Sequence, residues 1–260
     1  MHSLSKVIPA VVLDWAGTMV DHGCCAPLIA LRRVLARHGF SAPDEHLRQG
    51  MGRAKKEHLR NLLALHGAAT AVDKIYPELE HEIIGELQTH AGLIAGAREF
   101  AQGLAQQGIK IGSTTGYTQA MMNVLAASAA RQGYTPDLII TPDQVPAGRP
   151  APYMLYANAL QLGVWPLWQC VKIGDTADDI AEGRNAGMWT VAVALTGNAF
   201  GLSSADTESL PAHQRQEKAE AARSLLRAAG ADYVIDSVAD AAPILEQIAS
   251  RIQSGDKPRS

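Results

Sequence analysis

The sequence predicts an α/β fold, a doubly wound parallel sheet carrying a small all-helical insertion behind its first strand. Three features predict it. Val11-Val12-Leu13 is a β-branched apolar run that ends on one carboxylate, Asp14, and a Gly17-Thr18 turn, as a strand buried on both faces does. From Cys24 to about Ala95 the pattern is helical throughout. From Gly96 onward short apolar runs alternate with helix-length segments, the spacing of βαβ units. The 260 residues, 47% of them hydrophobic, suffice for one large domain or a domain with an insert.

Each element has a local reason. Pro27, favoured in a first helical turn, and Gly39, a good C-cap, bound the first helix, with Leu28, Leu31 and Leu35 on one face. Asp44 is expected to N-cap a segment from Glu45 to about Gly50, and Gly52 interrupts it. Helices from Arg53 to Leu65, stopped at Gly67, and from about Ala71 to Gln88 complete the insertion. The core resumes at Gly96 with a helix closing at Gly108. Ile109–Ser113 is the second strand, ending in Thr114-Thr115-Gly116, and a helix runs from Thr118 to about Arg131. Leu138–Ile140 is the third strand, Pro146–Pro150 a breaker-rich loop and Ala151–Leu162 a helix. Cys170–Gly174 is the fourth, ending in Asp175-Thr176-Ala177-Asp178-Asp179, with Trp189–Leu195 the fifth and Tyr233–Ile235 the sixth. Phe200–Gln214 reads as a long polar loop before an Ala/Glu/Arg helix ending at Gly230, and Ser254–Ser260 as a frayed end. The expected division is a core of residues 1–22 and 96–260 and a helical domain of residues 23–95.

Composition narrows the function. A net charge of −3, from 23 basic and 26 acidic residues without clusters, gives no electrostatic footprint for nucleic acid. Met1–Lys6 lacks the apolar core of a signal peptide, and no apolar run approaches the roughly 20 residues of a membrane helix. A cytoplasmic protein with no membrane partner is expected. Cys24, Cys25 and Cys170 offer neither a disulfide framework nor zinc-ligand spacing, so reduced thiols are expected.

The segment Asp14-Trp15-Ala16-Gly17-Thr18-Met19-Val20-Asp21 resembles the first motif of the haloacid dehalogenase superfamily, whose Asp is a nucleophile toward phosphorus or carbon. Later strand ends match the remaining motifs in order: Thr115, followed by Gly116, as a hydroxyl for a phosphoryl oxygen, Arg149 as a cation, and Asp175 with Asp179 as the acidic pair. Singly each has a bland reading, as a turn hydrogen-bonder, a solvated charge or a helix cap. Four in order at successive strand ends make that reading poor. The resemblance implies Mg²⁺ held by Asp14, the Ala16 carbonyl and Asp175, with Asp179 behind them, and an oxygen set of this kind suits that ion.

Most such phosphatases carry a second Asp two residues after the nucleophile, to protonate the leaving group. Here that position is Ala16. An enzyme without it is either impaired or has a leaving group that needs no such proton. The segment Gly50-Met51-Gly52-Arg53-Ala54-Lys55-Lys56-Glu57-His58 favours the second, because Lys55 and His58 share a helix face. Charge pattern alone would make it a solvated surface. Together with Asp14-Trp15-Ala16-Gly17-Thr18 and Gly23-Cys24, it resembles the phosphonoacetaldehyde hydrolase family over nearly the whole chain.

That resemblance implies cleavage of a carbon–phosphorus bond in the breakdown of 2-aminoethylphosphonate, through a Schiff base on Lys55 and an aspartyl phosphate on Asp14. It also implies that His58, Cys24 and Met51 line the site, that residues 23–95 form a cap, and that the protein is a homodimer joined through the caps. An unperturbed lysine is neutral in about one molecule in 2,500 at pH 7, so burial or a nearby cation must lower Lys55. Competing readings are a phosphomonoesterase or phosphomutase that uses Asp14 and Mg²⁺ without Lys55, and a silent phosphate- or partner-binding domain supported only by Ala16. A dinucleotide-binding domain would need Gly-x-Gly-x-x-Gly after the first strand, which is lacking.

Overall fold

The computed structural model describes residues 4–259. Six parallel strands form one sheet: β1 (Ala10–Leu13), β2 (Lys110–Thr114), β3 (Leu138–Ile140), β4 (Val171–Gly174), β5 (Trp189–Val193) and β6 (Tyr233–Ile235), in the order β3-β2-β1-β4-β5-β6. The doubly wound prediction holds. The order reverses between β1 and β4, and open α/β sheets bind ligands at the carboxyl ends beside such a switch point. Leu13 lies opposite Ile173 in the register, and the Asp14 N–H continues the ladder to the Ile173 carbonyl at 2.9 Å. Asp14 and Asp175 therefore emerge side by side.

Between β1 and the return to the sheet lie only helices: α1 (Cys25–Arg37), α2 (Asp44–Arg48), α3 (Lys55–Ala64) and α4 (Val72–Leu87). α1 and α3 pack on α4, whose buried Val72, Ile75, Leu79, Ile83 and Leu87 recur at three and four residues, so one stripe of α4 is the core of this segment. The chain leaves the sheet and comes back through adjacent linkers. Val20 bridges Leu93, the Asp21 N–H donates to the Gly92 carbonyl at 3.1 Å, and the Ile94 N–H to the Met19 carbonyl at 2.9 Å. Asp21, Gly23 and Cys24 all have positive φ (52°, 82° and 52°), a sharp exit. The Asp21 carboxylate accepts the N–H groups of Cys25 and Ala26 at 2.9 and 3.0 Å, satisfying the start of α1.

The rest of the chain supplies α5 (Ala97–Gln106), α6 (Gln119–Arg131), α7 (Tyr153–Leu162), α8 (Ala177–Asn185), α9 (Ser204–Ser209), α10 (Ala212–Ala228) and α11 (Ala241–Gln253). Three expectations need correction. Asp44 opens α2 instead of capping it; Pro43, with its fixed φ of −63° and extended ψ, holds the cap position. The expected loop Phe200–Gln214 contains α9 and the first turn of α10. The Ser203 hydroxyl accepts the Asp206 N–H at 3.1 Å, and Pro211 separates the two helices, so polarity there marks caps and exposed faces. The tail is held: the Asp256 carboxylate accepts from Arg251 at 3.0 Å, and Lys257 lies 5.7 Å from the Trp168 ring centre. Of the segments read at the ends, Met1–Ser3 and Ser260 lie outside the described residues.

Candidate active site

The site is built on the switch point. Asp14 leaves β1 into a turn that needs Gly17, at φ 78°, because a Cβ there would lie 2.2 Å from Asp175 Oδ2. Trp15 points the other way. It is fully buried, donates to Ser113 Oγ at 3.0 Å and meets the Tyr134 ring at 5.3 Å, so this motif residue is a core residue.

Asp14, Asp175 and Asp179 offer oxygens that all lie within 4.8 Å of one another, and each is buried. Arg149, 1% exposed, reaches Asp14 at 2.8 Å, Asp179 at 3.0 Å and Glu182 at 3.0 Å. Lys172, in β4, reaches Asp179 at 2.8 Å, and the Thr114 hydroxyl sits between both cations and Glu182. Burial raises Asp14 above the ordinary carboxylate range, the Asp179 charge adds to this, and Arg149 and Lys172 oppose it. Burial raises Asp175 well above that range, with the charges of Asp14 and Asp179 adding. For Asp179 burial acts the same way but loses to Arg149 and Lys172, which hold it low. Four buried carboxylates, Asp14, Asp175, Asp179 and Glu182, thus share Arg149 and Lys172, with Lys55 the third buried cation across the cavity, so carboxylate outnumbers cation in an all-oxygen cluster. A hard divalent cation fits that deficit.

Opposite stands Lys55, in the first turn of α3. It is 3% exposed, its ammonium donates to the Met51 carbonyl, and Nζ lies 5.2 Å from the centre of the Tyr117 ring. Burial lowers it from the usual lysine value to about 8, with Arg149 adding and the Cys24, Asp14 and Asp175 charges opposing. Lys56, next in sequence, is solvated and paired with Asp73 at 2.7 Å. Asp14, Ala16, Cys24, Met51, Lys55, Thr115, Gly116, Arg149 and Asp175 line one cavity of about 20 Å³, room for a single water.

The structure therefore brings together all of the sequence-predicted site residues except two. Asp179 lies one layer below, where its carboxylate also accepts the Thr176 hydroxyl at 2.5 Å and caps α8. His58 does not line the cavity. It is fully buried behind Gly50, and burial first, then the Lys55 charge, push it down to about 3, so its ring is neutral. Cys24 is a donor: burial and the Asp175 charge raise its thiol well above the usual range, and the S–H points at Asp175 Oδ2 at 3.2 Å. The Thr115 hydroxyl accepts the Tyr117 N–H at 3.1 Å, leaving its own proton for a ligand. The sequence reading missed Tyr117, Thr114, Lys172 and Glu182. Tyr117 had a signal, its place directly behind Thr115-Gly116.

A strand-end carboxylate beside a buried cation and an acidic pair, on a parallel sheet at its switch point, defines a class. The haloacid dehalogenase-like hydrolase model matches residues 8–187, and a second, HAD-hydrolase-like model matches residues 146–241. The chain belongs to the haloacid dehalogenase-like hydrolases. Within that family it is similar to proteins named phosphonoacetaldehyde hydrolase: 43% identical to that of Nitratidesulfovibrio vulgaris, across 96% of this chain and 94% of the relative, and 41% identical to that of Bacillus thuringiensis, across 93% and 96%. A crystal structure of a phosphonoacetaldehyde hydrolase-like protein from Oleispira antarctica superposes with a TM-score of 0.93 at 35% identity, across 97% of this chain and 96% of that one.

Proposed function

We propose that this hydrolase cleaves the carbon–phosphorus bond of phosphonoacetaldehyde to acetaldehyde and phosphate, with Lys55 as the imine-forming amine and Asp14 as the nucleophile. The observation that carries this reading is the buried Lys55, lowered to about 8, in the same cavity as Asp14, while Ala16 holds the position of the missing acid. At neutral pH roughly a tenth of an amine of that pKa is neutral, about two hundred times the fraction of an ordinary lysine. Lys55 adds to the aldehyde carbon and water leaves, giving a protonated imine. Asp14 attacks phosphorus as the C–P pair flows into the imine, so an enamine forms and no alkoxide needs a proton. Water then cleaves the aspartyl phosphate, and protonation and hydrolysis of the enamine release acetaldehyde and free Lys55. Thr115, the Gly116 turn and Arg149 bind the phosphoryl oxygens, and Arg149 exchanges part of its pairing with Asp14 for them. Mg²⁺ held by Asp14, Asp175 and the Ala16 carbonyl would offset charge on the phosphoryl group. His58, kept neutral first by burial and then by the Lys55 charge, reaches Lys55 only through water admitted when the helical segment lifts.

Residues 23–95 act as a cap. The cavity has room for a single water, so a bound phosphonate needs this segment to lift on its paired linkers. The resemblance to the phosphonoacetaldehyde hydrolase family implies a homodimer joined through the caps and a cytoplasmic setting. The test is to supply phosphonoacetaldehyde and measure acetaldehyde and phosphate together, with borohydride present in a parallel sample. Equimolar products and loss of activity on reduction, with the label on Lys55, are expected. An enzyme that releases phosphate from phosphomonoesters but is untouched by borohydride would establish the phosphomonoesterase reading instead.

A further inference from the structure

The helical segment is also tied to the sheet at a place the chemistry above does not use. Arg48, at the end of α2, sends Nη1 to the Gly23 carbonyl at 2.8 Å and to Asn198 Oδ1 at 3.0 Å, and Nη2 to the Gly201 carbonyl at 2.6 Å. Asn198 answers: its Nδ2 donates to the Arg48 carbonyl at 3.1 Å. Gly201 admits the guanidinium by lacking a side chain, since a Cβ there would lie 2.8 Å from Arg48 Nε, and its φ is 71°. All three acceptors are neutral oxygens on the exit linker and on the loop after β5. A guanidinium fork satisfies them together only while the helical segment is seated. The same Asn198 donates its backbone N–H to Asp175 Oδ2 at 2.6 Å, the oxygen that also takes the Cys24 thiol.

We propose that Arg48 is a positioning residue, a latch that holds the helical segment closed and, through Asn198, sets Asp175 in place when it does so. This deepens the proposed function and rests on it only where turnover is the readout. Closure seats Lys55, so unlatching exposes Lys55 and withdraws Asn198 from Asp175 in one movement. Lysine would not replace Arg48, because a single ammonium cannot span the Gly23, Asn198 and Gly201 oxygens.

The experiment is reductive methylation with formaldehyde and cyanoborohydride at fixed pH, read by peptide mass for Lys55, for solvated Lys56 and for Lys172, which is fully buried in the sheet. In Arg48→Ala and Arg48→Lys the Lys55 to Lys56 ratio should rise roughly tenfold or more, with Lys172 still protected. Asn198→Ala, which keeps the backbone N–H and two of the three acceptors, should give a smaller rise in the same direction. kcat/KM for phosphonoacetaldehyde should fall in the same order. Lys172 labelling in step with Lys55 means general loosening and overturns the latch, as does a wild-type ratio in folded Arg48→Ala. If Arg48→Ala does not fold, a wild-type ratio in Asn198→Ala overturns it. If the wild-type protein does not cleave the phosphonate, the functional proposal fails while the labelling ratio still decides the latch.

Discussion

Lys55 and Lys56 are adjacent in sequence and sit in different solvents, one 3% exposed against the Tyr117 ring and the other paired with Asp73 at the surface. Neighbouring helix positions point about 100° apart, so only one can face the sheet. Lys55→Arg keeps a cation but cannot condense with an aldehyde. It should lose phosphonate cleavage and borohydride trapping together, by at least about a thousandfold, while Lys56→Arg loses neither. The pH profile follows from the same burial. Only the neutral amine adds to the carbonyl, so kcat/KM should rise with pH through about 8 and level off above it. A trapping rate that is flat from pH 6 to 9 would remove Lys55 as the amine. Asp14, Ala16 and Lys55 could be found in the sequence because each belongs to a short spaced motif. Thr114, Lys172 and Glu182 could not, because their meaning lies in one another: the Thr114 hydroxyl meets Glu182 at 3.0 Å across 68 residues, and no local pattern encodes that.

At the scale of elements, the helical segment seats on the sheet through two glycines, Gly116 against the Arg53 backbone and Gly52 against the Thr176 side chain. A Cβ on Gly116 would lie 2.3 Å from the Arg53 carbonyl, and one on Gly52 would lie 2.3 Å from Thr176 Oγ1. Neither glycine has a positive φ, so the constraint is space and not backbone conformation. Gly116→Ala should therefore leave the sheet intact and penalise the seated helical segment by about 1–3 kcal/mol. That is a roughly 5- to 150-fold loss of closed population. The expected result is a matching fall in kcat/KM with a melting temperature near that of the wild type; full activity would show that the segment need not seat this closely. Helix and strand identities were legible because each run has its own period and its own stop, as with the Thr118 cap of α6. The segment from Phe200 to Gln214 was not. Its one complete helix, α9, is short and surface-lying, and only the cap bonds of Ser203 and the burial of Phe200 against Ala219, Ala222 and Leu226 distinguish it from a loop.

For the whole molecule the issue is charge. A doubly wound sheet converges its strand ends at one switch point, and in this chain that convergence buries more carboxylate than cation. Asp175 shows the strain: its carboxyl is raised well above the usual range, so the native state binds its proton more tightly than the unfolded chain does. The sign follows. Native stability from this group is complete in acid and is lost as pH rises through the native value, which leaves the metal-free protein penalised at neutral pH. A divalent cation bound only by the native state should reverse that. At a hundredfold excess over its dissociation constant it adds about 2.7 kcal/mol. At roughly 2–4 °C per kcal/mol for a chain of this size, Mg²⁺ should raise the melting temperature by about 5–10 °C over a chelated sample. Chelation should also abolish turnover, and added Mg²⁺ should restore it. Asp175→Asn separates the two effects. The amide is neutral without taking up a proton, so at neutral pH the chelated variant should melt above the chelated wild type, yet it should show no Mg²⁺ shift and no turnover. A full shift in Asp175→Asn would place the ion elsewhere, and turnover that survives exhaustive chelation would mean that Arg149 and Lys172 balance the phosphoryl charge unaided.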